Sequence, residues 1–226
     1  MTDDRKATAI TEATLAHLEA MRGNFSEARL RYGRSRALLE EFGWRLTAAG
    51  TSLDSAPVEM LAGDLQAAEA ELRKDYQTLD EMGERRNLST TAGLLAEVLY
   101  RQGRFAEAAE FAATCRTLAS SDDVSSQFQW RCADAKLCGR DGAHERADTM
   151  IHEALELISG SDFLDLQGNG FMDLAEVCRL RGDTDGALEA LARASERFEA
   201  KGNIVSARLA GAAAAELRAT GDRQAS

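Results

Sequence analysis

Tyr100-Arg101-Gln102-Gly103-Arg104-Phe105-Ala106-Glu107-Ala108-Ala109 reads as the end of one helix, a tight glycine turn and the start of the next. The same phrase returns around Gly23 (with Phe25 and Ala28), Gly63 (Leu65, Ala68), Gly142 (His144, Ala147) and Gly182 (Thr184, Ala187). Counted from Gly23, the intervals are 40, 40, 39 and 40 residues. A fixed period of that size marks a solenoid of stacked helix pairs, in which each pair buries its apolar face against its neighbours. The predicted fold is therefore all-α.

Counting from the five glycines places the rest of the chain. One repeat domain spans 1–220, with repeats at about 6–43, 44–83, 84–121, 122–161 and 162–202, a cap at 203–219 and a frayed tail at 221–226. Phe42-Gly43, Met82-Gly83 and Lys201-Gly202 close three of the pairs, glycine standing where a helix end adopts left-handed φ. Asn24 followed by Glu27 has the spacing of a capping box. Pro57 falls inside the first helix of the second pair and removes the bond to the Leu53 carbonyl, which predicts a bend there, with Asp54 or Ser55 capping a restart. Alanine five residues after each glycine lets the two helices of a pair approach at the ~8–10 Å axis separation of close packing.

Composition narrows the function classes. With 27 basic and 38 acidic side chains the net charge is −11, which repels phosphate backbones and disfavours nucleic acid as a partner. Cys115, Cys132, Cys138 and Cys178 form no C-x-x-C pair and sit in helical stretches, where free cysteine acts as a small hydrophobe. No apolar run approaches the ~18–20 residues of a membrane helix, and the first residues lead into no signal core. The expectation is a reduced, cytoplasmic protein with no membrane partner.

The pattern of glycine, an aromatic or apolar residue two later and alanine five later resembles the tetratricopeptide repeat. The period here exceeds that family's usual ~34 residues, and the family's Trp and Pro positions are not filled. A closer resemblance lies in Gln129-Trp130-Arg131, Ser161-Asp162-Phe163-Leu164-Asp165-Leu166-Gln167-Gly168, Asp173-Leu174-Ala175-Glu176-Val177 and Arg197-Phe198-Glu199-Ala200-Lys201-Gly202-Asn203. With Ala20-Met21-Arg22-Gly23 and Leu61-Ala62-Gly63-Asp64, these look like the C-terminal helical-repeat region of large bacterial signalling proteins that join a class III adenylate/guanylate cyclase to an AAA-type ATPase. No G-x-x-x-x-G-K-[ST] loop is present, and no sheet segment suits a two-metal cyclase site. The resemblance thus implies a scaffolding or regulatory region, with neither catalytic domain.

Candidate chemistry is thin. His144, Asp148 and His152 lie at i, i+4 and i+8 on one helix face, but the outer two are about 12 Å apart along the axis, too far for one ion. His144 also fills the slot of Phe25 and Phe105, a packing position. Gly182-Asp183-Thr184-Asp185-Gly186 has a superficial calcium-loop look, yet lacks the closing Glu, so Asp183 and Thr184 read better as helix caps. No Ser, Cys or Lys pairs with a base and an orienting group. No cofactor or metal is expected.

The expected architecture is a right-handed α-solenoid of about five tetratricopeptide-like repeats with a C-terminal capping helix. In such arrays the first helix of each pair lines the concave side. The lining positions include His17 and Thr90, and the candidate partner-binding set is Glu97, Tyr100, Arg101, Gln129, Lys136, Arg140, Asn169, Met172, Glu176 and Arg179. Their basic members suit an acidic peptide, with Tyr100 and Met172 giving apolar contact. The competing reading is a solvated face with intrahelical pairs such as Glu97 with Arg101. Two other functions stay open: a metal-dependent or nucleotide-linked enzyme on a helical scaffold, and a homodimer formed through Ile10, Leu15 and Leu18 of the first helix.

Overall fold

The computed structural model describes residues 2–224, which form twelve α-helices and, among the described residues, no strand. The pairs are α1 (Thr2–Met21) with α2 (Phe25–Glu41), α3 (Arg45–Ala49) and α4 (Ser52–Ala62) with α5 (Leu65–Glu81), and α6 (Arg85–Arg101) with α7 (Phe105–Leu118). They continue as α8 (Val124–Arg140) with α9 (His144–Ile158) and α10 (Leu164–Leu180) with α11 (Thr184–Lys201), followed by α12 (Ile204–Gln224). The architecture is an all-α solenoid. The last helix extends past Ala219 to Gln224, and Ala225 and Ser226 lie outside the described residues.

Eight glycines have positive φ: Gly23, Gly43, Gly63, Gly83, Gly103, Gly142, Gly182 and Gly202. At Gly103, φ is +77°, and the Arg104 amide donates to the Leu99 carbonyl at 2.9 Å while the Gly103 amide donates to Tyr100 at 2.9 Å. Two otherwise orphaned carbonyls at the end of α6 are thereby satisfied, a closure that a β-carbon would strain. The new helix starts two residues later, so turn and restart together take three residues.

By contact the chain divides into two compact units, Met1–Ser126 and Gln127–Ser226. In the first, the core runs through Ala16, Ala20, Ala28, Tyr32 and Val58, through Ala9, Leu39 and Ala48, and through Ala49, Leu79 and Leu88. In the second, Phe128, Cys132, Ala135, Ile151, Ala154, Ile158 and Val177 form one cluster, while Phe171, Ala194, Phe198 and Ala210 form another. Ala210 and Ala214 seat α12 on α10 and α11, which makes it the cap. Cys115, Cys132 and Cys178 are buried free thiols and Cys138 is half-buried.

Ala28, Ala68, Ala108 and Ala147 are fully buried and Ala187 is 1% exposed. A methyl group is what the helix-helix contact accommodates at each pair. Ala108→Leu is accordingly expected to lose about 1–3 kcal/mol of stability by overpacking; an unchanged urea midpoint would contradict the close approach of α6 and α7. The same tightness appears at Gly168 in α10, where a β-carbon would run into the ring of Phe198.

Two local expectations need correction. The second pair's first helix is divided, but at Gly50-Thr51 and not at Pro57: α4 runs without interruption from Ser52 to Ala62 with Pro57 inside it. Pro57 is only the sixth residue of α4, so the helix forgoes a single early bond, to the Leu53 carbonyl. The division is held from outside, where Asp75 of α5 accepts from the Ser52 amide at 3.0 Å. At Asn24 no capping box forms: the Asn24 side chain makes no cap bond, and its Nδ2 donates instead to the Glu19 carboxylate of the preceding helix at 2.6 Å. Caps the sequence reading did not assign are Asp64, accepting from the Ala67 amide, and Glu84, accepting from Arg86 and Asn87. Asp183 does cap α11, through the Gly186 amide at 2.9 Å.

Candidate functional site

In the first unit, Glu97 and Arg101 lie one turn apart near the end of α6 and pair at 2.6 Å, with Arg101 44% exposed. Tyr100 is buried instead, its ring edge-on to Phe105 with centroids 5.3 Å apart, so its bulk packs the turn of its own pair.

In the second unit, Arg140 and Asn169 are exposed, Gln129 and Met172 half-buried. Glu176 and Arg179 pair within α10 at 2.7 and 2.8 Å. Lys136 departs most from the expected groove: its side chain is 2% exposed and its ammonium pairs with Asp173 of α10 at 2.5 Å. It bridges the first helices of two successive pairs and is part of the interior. The signal available in sequence was the spacing of Lys136 and Asp173, 37 residues, close to one repeat. Similar cross-repeat polar bonds join Arg36 to Asp75, Asn203 to Asp165 and Arg104 to Glu69.

The histidine-bearing helix gathers no ligand set. Asp148 pairs with Arg181, and Nδ1 of exposed His152 lies 2.7 Å from the Asp148 backbone carbonyl. Among the described residues, no three His, Cys, Asp or Glu side chains stand together as a metal site. Nor is any helix among them long and apolar enough to cross a membrane.

A concave feature of the first unit went unread in the sequence. A cavity of about 570 Å³ lies between α1, α2 and the α3–α4 segment, reached also by Asn87 of α6. That volume falls within the range of ligand pockets, ~300–1,000 Å³. Ile10, Ala13, Leu39 and Leu46 supply apolar wall, and Thr14, His17, Tyr32, Thr47, Thr51 and Asp54 supply polar groups. Tyr32 is 5% exposed and its hydroxyl, fully buried, has no hydrogen-bond partner. Burial first, then the charges of Asp54 and Glu71, hold that phenol well above its ordinary pKa. Asp54 is exposed, yet the protein beside it thins its hydration and raises its carboxyl, an effect His17 partly offsets. Ile10, Leu15 and Leu18 of α1 are 54%, 38% and 40% exposed.

No family model matches the chain, and no curated protein matches it. Solved structures do. A putative kinesin light chain from Podosopora anserina, with nearly identical TPR-like repeats, superposes with a TM-score of 0.54 at 14% identity, over 87% of this chain and 97% of that one. The apo form of RapI superposes with a TM-score of 0.57 at 9% identity, over 97% of this chain and 66% of its own. At such identities the likeness concerns architecture alone. The chain shares the helical-repeat fold of these tetratricopeptide-like structures.

Proposed function

We propose that the chain is a non-catalytic protein–protein interaction module, a scaffold or sensor region in bacterial signalling, which takes a partner segment on the exposed side of its first helices. The observation that carries this reading is a repeated cation. Arg101, Arg140 and Arg179 recur at 39-residue intervals in the last turns of α6, α8 and α10, and all three are exposed. Arginine at a helix C-terminus also complements the helix dipole, and Arg101 and Arg179 are engaged by Glu97 and Glu176. Exposed pairs of this kind contribute only about 0–1 kcal/mol, so a carboxylate on a partner can exchange into them at little cost. An acidic peptide fits that chemistry; on the same first helices Asn169 is exposed and Gln129 and Met172 are half-buried. The signalling context, next to a cyclase or an ATPase, is supported by the sequence phrases described above.

The test reverses the repeated charge while sparing the buried lysine. Arg101→Glu/Arg140→Glu/Arg179→Glu is expected to keep the wild-type circular dichroism and melting midpoint. It is expected to lose the proteins that the wild type captures from its own lysate, identified by mass spectrometry. Identical captured proteins with both forms would remove the first-helix arginines from the binding surface.

A further inference from the structure

The outer side of α1 is built unlike a solvated face. At about 3.6 residues per turn, Ala7, Thr11, Leu15 and Leu18 lie opposite Ala9, Ala16 and Ala20. The three alanines are fully buried and the other four residues are exposed. In a chain that is 29% charged, the stretch from Ala7 to Leu18 holds one charged residue, Glu12, and it pairs with Arg31 of α2 at 3.1 Å. The hydroxyls of Thr8, Thr11 and Thr14 are engaged within the helix, each donating to the carbonyl four residues earlier, at 2.8, 2.8 and 3.0 Å. Another surface can therefore cover their methyl groups without costing a donor its partner. Opposite charges bracket the stretch: Asp4 near the start of α1 and Arg22 just past its end are both exposed, and helical spacing puts both on the Leu18 side.

We propose that a second copy of this chain covers the face, α1 packing antiparallel on α1 about a two-fold axis near Ala13. The two ends decide the direction. Parallel helices would set Asp4 beside Asp4 and Arg22 beside Arg22. Antiparallel helices set each Asp4 beside the Arg22 of the second copy, and they also align the two helix dipoles favourably. The same register lays Leu15 against Thr11 of the second copy and Leu18 against its Ala7 and Thr8. Each large side chain meets small ones, so two-fold symmetry makes the patch complementary to itself. An uncharged patch of this kind, rimmed by charge, is what a contact surface presents. The proposal is independent of the arginine surface at the ends of α6, α8 and α10.

Sedimentation velocity of the full chain, from micromolar to submillimolar concentration, tests it. The mass is expected to rise with concentration to twice that of the monomer. Thr11→Glu/Leu18→Glu, at two exposed positions, is expected to keep the wild-type circular dichroism and to stay monomeric throughout. Asp4→Arg and Arg22→Asp are each expected to weaken dimerisation about tenfold, because every dimer then carries two like-charge contacts. The double swap Asp4→Arg/Arg22→Asp restores both opposite pairs and is expected to recover the wild-type affinity, a result that neither misfolding nor parallel packing produces. A wild type that is monomeric at every concentration would overturn the proposal and leave the face to a different partner. A dimer that survives the two glutamates, or a double swap no better than the single changes, would overturn it as well. If the glutamates alter the circular dichroism, the charge swap decides alone.

Discussion

Asp75→Ala is expected to be among the most damaging single substitutions in this chain, lowering stability by about 3–5 kcal/mol, the scale for breaking a buried ion pair by removing one partner. The Asp75 side chain is 2% exposed. It accepts from both terminal nitrogens of Arg36, at 3.0 and 2.7 Å, and from the Ser52 amide at 3.0 Å. Truncation leaves a mostly buried guanidinium without its carboxylate and one backbone donor at the start of α4 without an acceptor. Asp75→Asn keeps the shape and one acceptor and is expected to fall between wild type and alanine. Urea denaturation monitored by circular dichroism reads both. If alanine melts with wild type, Asp75 does not hold the α3–α4 division.

The second large effect is at Lys136. Asp173→Ala removes the carboxylate at 2.5 Å from an ammonium whose side chain is 2% exposed, and is expected to cost about 3–5 kcal/mol. Lys136→Met keeps the unbranched stem and removes the charge, so it is expected to cost far less. Replacing buried charge by packed apolar atoms is often neutral, and Asp173, 16% exposed, retains some water. Equal losses in the two variants would show that the packing of the stem, and not its charge, sets the stability. The pair also bears on function: a lysine held inside the second unit is unavailable to a partner, which is why the arginine variants leave it untouched.

The parts of this molecule that residues alone made legible are those set by local chemistry. A glycine every 39 or 40 residues signals left-handed turns, and each of the five has positive φ. Alanine in the fifth place signals close helix contact, and all five are buried. Both follow from steric limits within a few residues of chain, so a short phrase carries them and its period carries the solenoid. The surface was only partly legible. Arg101, Arg140 and Arg179 are exposed, but Tyr100 and Lys136, read from the same register, are interior.

The remainder depended on partners far along the chain. Pro57 is a strong local signal for a helix break, yet the break is at Gly50-Thr51, because Asp75, 23 residues beyond Ser52, supplies the acceptor that caps the restart. Lys136 looks like a surface cation until Asp173, 37 residues later, is found facing it. The cavity has no sequence phrase at all, since its walls come from α1, α2, the α3–α4 segment and Asn87. Turns and close contacts are decided by neighbours in sequence and can be read there; buried charge and concavity arise where distant segments meet, and only the folded chain brings those segments together.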